Sequence, residues 1–181
     1  SSLVDALRSR ASTDDRATVR KSAIIAWLQM LNLAHRENKD EFLVSGADIS
    51  ALCGLCNDVS VATRKAAADA LTKLVQANYD SEEYNAQASS LEFAWAQTVL
   101  PLVSDAEATC SIKAVSFFQE LVIDPIVELG YDTVEKLKDD DDNMKYFVAW
   151  RILSKLSDGS KEAGGSRNAS GSLIVALQKL L

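Results

Sequence analysis

From Val19 onward the apolar positions run Val19, Ala23, Ala26, Trp27, Met30, Leu31 and Ala34. Steps of three and four place them on one face of an α-helix. The same spacing returns at Ala62, Ala66, Ala67, Ala70, Leu71, Leu74 and Val75, and again at Ala114, Val115, Phe117, Phe118, Leu121 and Val122. The many alanines of the second run let neighbouring helices approach closely. Pro125 lies just beyond the third run, where a helix is expected to stop. A shorter apolar segment precedes each run. The first is only Leu3, Val4, Ala6 and Leu7; the second holds Ile49, Leu52, Cys53, Leu55 and Cys56. The third holds Leu91, Phe93, Ala94, Trp95, Val99, Leu100 and Val103, with Pro101 inside it, expected to kink the helix or mark its last turn.

Beyond Ile126 the pattern fades. Residues 131–157 read as a further, degenerate helical pair, a short helix over Val127–Leu137 and a better one carrying Tyr146, Phe147, Trp150, Ile152, Leu153 and Leu156. Residues 158–172 are rich in Gly and Ser and read as a linker. Leu173, Ile174, Ala176, Leu177, Leu180 and Leu181 begin another amphipathic helix over 173–181.

The runs are copies of one another. At an offset of 44, Asp14 falls on Asp58, Ala23 on Ala67, Ala26 on Ala70, Trp27 on Leu71 and Met30 on Leu74. At a further offset of 47, Asp58 falls on Asp105, Ala67 on Ala114, Leu71 on Phe118 and Leu74 on Leu121. Such periods are those of HEAT or armadillo helix pairs, which bury their apolar faces by stacking. The expected fold is therefore all-α, an α-solenoid of antiparallel helix pairs. Its three HEAT-like repeats fall within residues 1–130, at about 3–36, 46–77 and 90–124. The abrupt start at Ser1-Ser2 and the stop inside a helix read as a fragment of a longer superhelix.

Composition agrees. Of 181 residues, 48% are hydrophobic and 25% charged, with only seven Gly and two Pro, a globular and helix-favouring balance. No apolar run is long enough to span a membrane, and no secretory leader opens the chain. Three cysteines give no disulfide framework and point to a reducing compartment. The net charge of −7 is unevenly spread. Residues 1–75 carry ten basic and nine acidic side chains, residues 76–146 four and fifteen, and residues 147–181 five and two. The acidity sits in the middle and both ends are mildly basic, which argues against a uniformly basic nucleic-acid-binding domain.

An Asp is followed six residues later by an Arg twice, in Asp14…Arg20 and Asp58…Arg64. Each Asp can cap the helix that follows. In a stack, the Asp of one unit and the Arg of the next can form a charge-assisted ladder, which would continue at Asp105. The other reading is a phosphate-binding stripe along one edge. Lys21 and Lys65, beside the arginines, fit it better because lysine has no fixed fork and stays solvated. With Arg16 they are the candidate DNA-phosphate contacts, and Arg8, Arg10, Arg36 and Lys39 could extend them. In the third repeat Ser111 and Ile112 replace the Arg-Lys pair, so the stripe spans two repeats.

Candidate chemistry is thin. Cys53-x-x-Cys56 has no second pair and lies on an apolar helix, which favours packing over zinc or redox work. Asp139, Asp140, Asp141 and Asp142 lack the alternation and the Gly of a calcium loop and read as solvated. The one histidine, His35, has no nucleophile motif near it, and there is no phosphate-cradling Gly loop. No cofactor, metal, small-molecule substrate or catalytic residue is expected. Trp27, Trp95 and Trp150 sit on apolar faces and are expected in the core.

The run Arg16-Ala17-Thr18-Val19-Arg20-Lys21-Ser22-Ala23, then Cys56-Asn57-Asp58-Val59-Ser60-Val61-Ala62-Thr63-Arg64-Lys65-Ala66-Ala67, resembles two successive HEAT repeats of the D-type HEAT subunits of condensin II. A third stretch has Trp95, Val99-Leu100-Pro101-Leu102-Val103-Ser104-Asp105-Ala106-Glu107, Lys113-Ala114, Phe118-Gln119-Glu120-Leu121-Val122 and Ile126, the order of that family. The resemblance covers about residues 3–130. It implies a non-enzymatic subunit that binds a kleisin, works with two SMC ATPase subunits and double-stranded DNA, and supports mitotic chromosome condensation in the nucleus. Another HEAT or armadillo scaffold, of the transport-receptor or phosphatase type, is the alternative and would bind peptides without DNA.

Overall fold

The computed structural model describes residues 2–37, 44–77, 86–129, 144–158 and 167–180. Every regular element among the described residues is helical. In order they are α1 (Leu3–Thr13), α2 (Ala17–Glu37), α3 (Gly46–Leu55), α4 (Val61–Ala77), α5 (Ala86–Thr98), a 3-10 turn (Leu100–Ser104), α6 (Ala108–Phe118), a π turn (Gln119–Ile123), α7 (Asp124–Leu129), α8 (Met144–Asp158) and α9 (Arg167–Leu180). The chain divides into two compact units, Ser1–Val99 and Leu100–Leu181. The boundary falls inside 90–124.

In the first unit α1 packs on α2 and α3 on α4. The shorter helices adjoin in chain order, α1 with α3 and α3 with α5, and the longer α2 adjoins α4. That is a two-layer arrangement of helix pairs, compatible with a helical repeat stack. Its core is Ile24, Trp27, Leu52, Leu71, Leu74, Leu91 and Trp95, all nearly inaccessible. Ala67, Ala68 and Ala70 line the inner side of α4, where larger side chains would hold the layers apart. Thr72 Oγ1 donates to Ala68 O at 2.8 Å and accepts the Trp95 indole N–H at 2.9 Å. This buried hydrogen bond ties α4 to α5.

Both α1 and α3 start with a reciprocal cap. Ser2 Oγ accepts from Asp5 N–H while Asp5 accepts from Ser2 N–H, and Ser45 and Asp48 repeat the arrangement. The signal is Ser-x-x-Asp, which satisfies two backbone donors at each helix start.

In the second unit α6 and α9 pack on the 3-10 turn, α8 packs on the π turn, and α7 on α8. Three sequence expectations change here. The helix does not stop at Pro125. It passes from α6 through the π turn into α7, with Pro125 buried at the second position of α7. Proline has no N–H and its ring clashes with the carbonyl four residues back; a turn widened to i→i+5 bonds, such as Asp124 N–H to Gln119 O, lets the helical path continue. Trp150 is not in the core and is 53% exposed. Val148, Ala149, Ile152 and Leu156 form the buried stripe of α8, and Trp150 points off it. Finally α9 begins at Arg167, inside the stretch read as a linker over 158–172, with Ser172 already buried. Small residues at the start of α9 hid its apolar period. Pro101, by contrast, lies in the 3-10 turn that follows the end of α5. The run Asp139–Asp142 and Lys39 lie outside the described residues, as do the side chains of His35 and Arg36.

Candidate functional site

Each long helix of the repeating pattern is entered through the same turn. Asp14 Oδ1 accepts from Arg16 N–H at 3.0 Å, Asp58 Oδ1 from Ser60 N–H at 2.7 Å, and Asp105 Oδ1 from Glu107 N–H at 2.8 Å. In each case the donor is the residue just before the first helical one of α2, α4 or α6. The aspartates therefore close an Asx turn at the helix entry rather than capping donors inside the first turn.

An arginine six residues on folds back over the turn. Arg20 Nη1 donates to Asp14 O at 2.9 Å and Asp15 O at 3.1 Å. Arg64 Nη1 donates to Asp58 O at 2.8 Å and Val59 O at 3.2 Å. The rest of the Arg20 fork reaches the next repeat, with Nε to Asp58 Oδ2 at 2.8 Å and Nη2 to Asp58 Oδ1 at 2.7 Å, so the ladder runs from the Arg of one unit to the Asp of the next, opposite to the expected sense. That bidentate pair, with both side chains about a tenth exposed, fixes α2 against the α3–α4 turn. The hydrogen bonds to Asp58 raise the Arg20 pKa above its ordinary value. Burial pushes the Asp58 carboxyl up, but the Arg20 fork and the Ser60 N–H outweigh it and hold Asp58 below the usual carboxylate range. Asp14 is lowered too, by the Arg16 N–H first and then by Arg10 and Arg16. Asp105 belongs to the second unit.

A second cross-repeat contact was not expected from the sequence. Arg8 on α1 donates to Asp5 Oδ1 at 2.6 Å and to Asp48 Oδ1 at 2.7 Å, so one guanidinium joins the capping carboxylates of α1 and α3. The cue available in sequence was the Ser-x-x-Asp pair, Ser2…Asp5 and Ser45…Asp48.

These contacts sort the basic side chains. Arg8 is committed to Asp5 and Asp48, and cannot extend a phosphate stripe without breaking them. Arg10 pairs with Asp14 at 3.1 Å, and the exposed Arg16 lies 3.6 Å from the same carboxylate. Lys21 and Lys65 each occupy the fifth position of their helices, α2 and α4, which pack together. Lys21 is exposed and Lys65 partly so. The structure thus places two lysines at equivalent points of adjacent helices, beside an arginine that is spoken for.

Among the described residues no cluster of His, Cys, Asp and Glu could hold a metal ion. All three cysteines are free thiols. Burial pushes the Cys53 thiol up, against the thiolate that metal binding needs, and its Sγ lies 3.8 Å from the Thr98 hydroxyl. No described helix is long and apolar enough to cross a membrane.

Comparison with known proteins bears on these helix pairs. Over 156 residues the chain is 29% identical to condensin-2 complex subunit D3-L of Xenopus laevis. The match takes in 86% of this chain and 9% of that protein, so the chain spans under a tenth of the relative's length. No family model matches the chain, and no solved structure matches it. The similarity to a condensin-2 subunit and the all-helical, pairwise-packed architecture are consistent with each other.

Proposed function

We propose that this chain is a HEAT-type solenoid segment of a condensin II D-type subunit. In this reading it is a scaffold rather than an enzyme and works on chromosomes in the nucleus. Its partners are a kleisin and the SMC subunits of the complex, and double-stranded DNA meets it along the edge that carries Arg16, Lys21 and Lys65. The observation that carries the reading is the similarity to the Xenopus condensin-2 subunit over most of the chain. The DNA part is supported by the two lysines at equivalent helix positions, which no carboxylate neutralises among the described residues. Lysine in such a place acts as a point charge toward phosphate.

The test is fluorescence anisotropy of labelled double-stranded DNA titrated with the chain at several salt concentrations. Binding should weaken as salt rises and weaken further in the Lys21→Glu/Lys65→Glu variant, with the salt slope counting the phosphates neutralised. Absence of binding even at low salt would remove DNA contact from this segment. A second reading then takes over: a HEAT or armadillo scaffold that holds only protein partners. One observation favours it. Arg8, Arg10 and Arg20 are spent on carboxylates of the fold, which leaves little free positive charge.

A further inference from the structure

We propose that α9 is a strap held on the second unit by an ionic latch, and that the latch is the ammonium of Lys179. The third turn lacks the arginine that folds back over the first two, because Ser111 stands in its place. Ser111 is buried, and its hydroxyl donates to Val103 O at 2.7 Å. Lys179 supplies the missing cation from α9. Its Nζ donates to Val103 O at 2.7 Å and to Ser111 Oγ at 2.6 Å, across 76 and 68 residues of sequence. The substitution is not atom for atom. Arg20 and Arg64 reach the carbonyls five and six residues before them. Lys179 instead reaches a carbonyl of the 3-10 turn, eight residues before Ser111.

Among the described side chains of α9, Ser172 and Ala176 are buried, both small, while Leu173, Val175 and Leu180 are only partly covered. The larger Ile174 and Leu177 are 58% and 42% exposed. Among these described side chains the large apolar ones are not fully buried, and Lys179 adds a polar anchor near the end of the helix. A charge-assisted hydrogen bond to a backbone carbonyl and a buried hydroxyl is among the stronger polar contacts a helix can make. With the ammonium present α9 lies on the 3-10 turn; with the charge removed it lifts, and Val103 O and Ser111 Oγ lose their external donor.

Hydrogen–deuterium exchange on the 181-residue chain tests this with Lys179→Gln and Lys179→Arg. In Lys179→Gln the amides of 172–180 should exchange about tenfold faster than in the unaltered chain. In Lys179→Arg, which keeps the charge, they should stay within about twofold. Protection of α4 and α8 should be unchanged in both, which also establishes that each variant is folded. Unaltered α9 protection in Lys179→Gln would overturn the latch. Equal loss in the Arg variant would overturn its ionic nature. Loss of α8 protection along with α9 would overturn the strap, since Lys179 would then hold the whole unit.

Discussion

Asp58 receives both the Nε and Nη2 hydrogens of Arg20, at 2.8 and 2.7 Å, while the third nitrogen of the same guanidinium closes on the carbonyls of Asp14 and Asp15. One side chain thus braces its own turn and grips the next one. The geometry needs a planar fork, which lysine lacks. Arg20→Gln and Arg20→Lys should both lower the thermal midpoint of the first unit, with little rescue by Lys. Arg10→Gln, which removes a pair between an exposed arginine and the C-cap of its own helix, should lower it far less. Thermal unfolding followed by circular dichroism checks the ranking; equal midpoints for the Arg10 and Arg20 variants would show that the cross-repeat contact contributes nothing special.

Acid should loosen the same joint. Asp58 sits below its ordinary pKa in the fold, so its contribution is fully present above the unfolded value, near pH 4, and is lost as pH falls through the lower folded value. Arg20, raised by the pair, stays charged throughout. The thermal midpoint should fall steeply below about pH 4, and less steeply in Asp58→Asn, whose midpoint at neutral pH is already reduced. Asp5 and Asp14 are lowered by backbone hydrogen bonds and keep some acid sensitivity in that variant. A pH series of midpoints for the two proteins decides the matter.

The buried link between α4 and α5 gives a cleaner magnitude. Thr72→Val removes the acceptor of the Trp95 indole N–H while keeping the shape, and should cost about 1–3 kcal/mol, the penalty for a buried donor left unpaired. Thr72→Ser keeps the hydroxyl and should recover most of it. Urea unfolding monitored by tryptophan fluorescence reads both.

Close approach of the layers should be intolerant of bulk. Ala67 is fully buried on α4, and Ala67→Leu, which adds three carbons there, should destabilise by about 1–3 kcal/mol through overpacking. Lys21 is exposed and Lys65 partly so, and Lys21→Glu/Lys65→Glu should change stability by less than about 0.5 kcal/mol per site. Denaturant unfolding of the two variants side by side makes any loss of DNA binding in the second attributable to charge.

Helical character was legible because it rests on local spacing. The three- and four-residue steps from Val19 and from Ala62 are properties of a sequence window, and α2 and α4 occupy those windows. The period of about 44 likewise put Asp14 beside Asp58 in register, and each makes the same turn in the structure. Where the reading failed, a local rule met a tertiary exception. Pro125 predicts a stop, yet a π turn carries the helix past it. The apolar pattern around Trp150 predicts it inward, but the buried stripe of α8 runs through Val148, Ala149, Ile152 and Leu156 instead. The first turns of α9 are written in Asn, Ala, Ser and Gly, which carry no apolar period to read.

The helical windows and the repeated Asp…Arg turn are legible in the chain because helix periodicity and turn chemistry act over a few neighbouring residues. Which cations are spent depends on contacts that folding makes between distant segments. Arg8 looked like part of a basic edge until α3 brought Asp48 within 2.7 Å of it, and nothing around Lys179 in sequence hinted at Val103 and Ser111. A charge becomes a latch or a free contact according to what folding places within about 3 Å of it, and that distance is not written in any short stretch of chain.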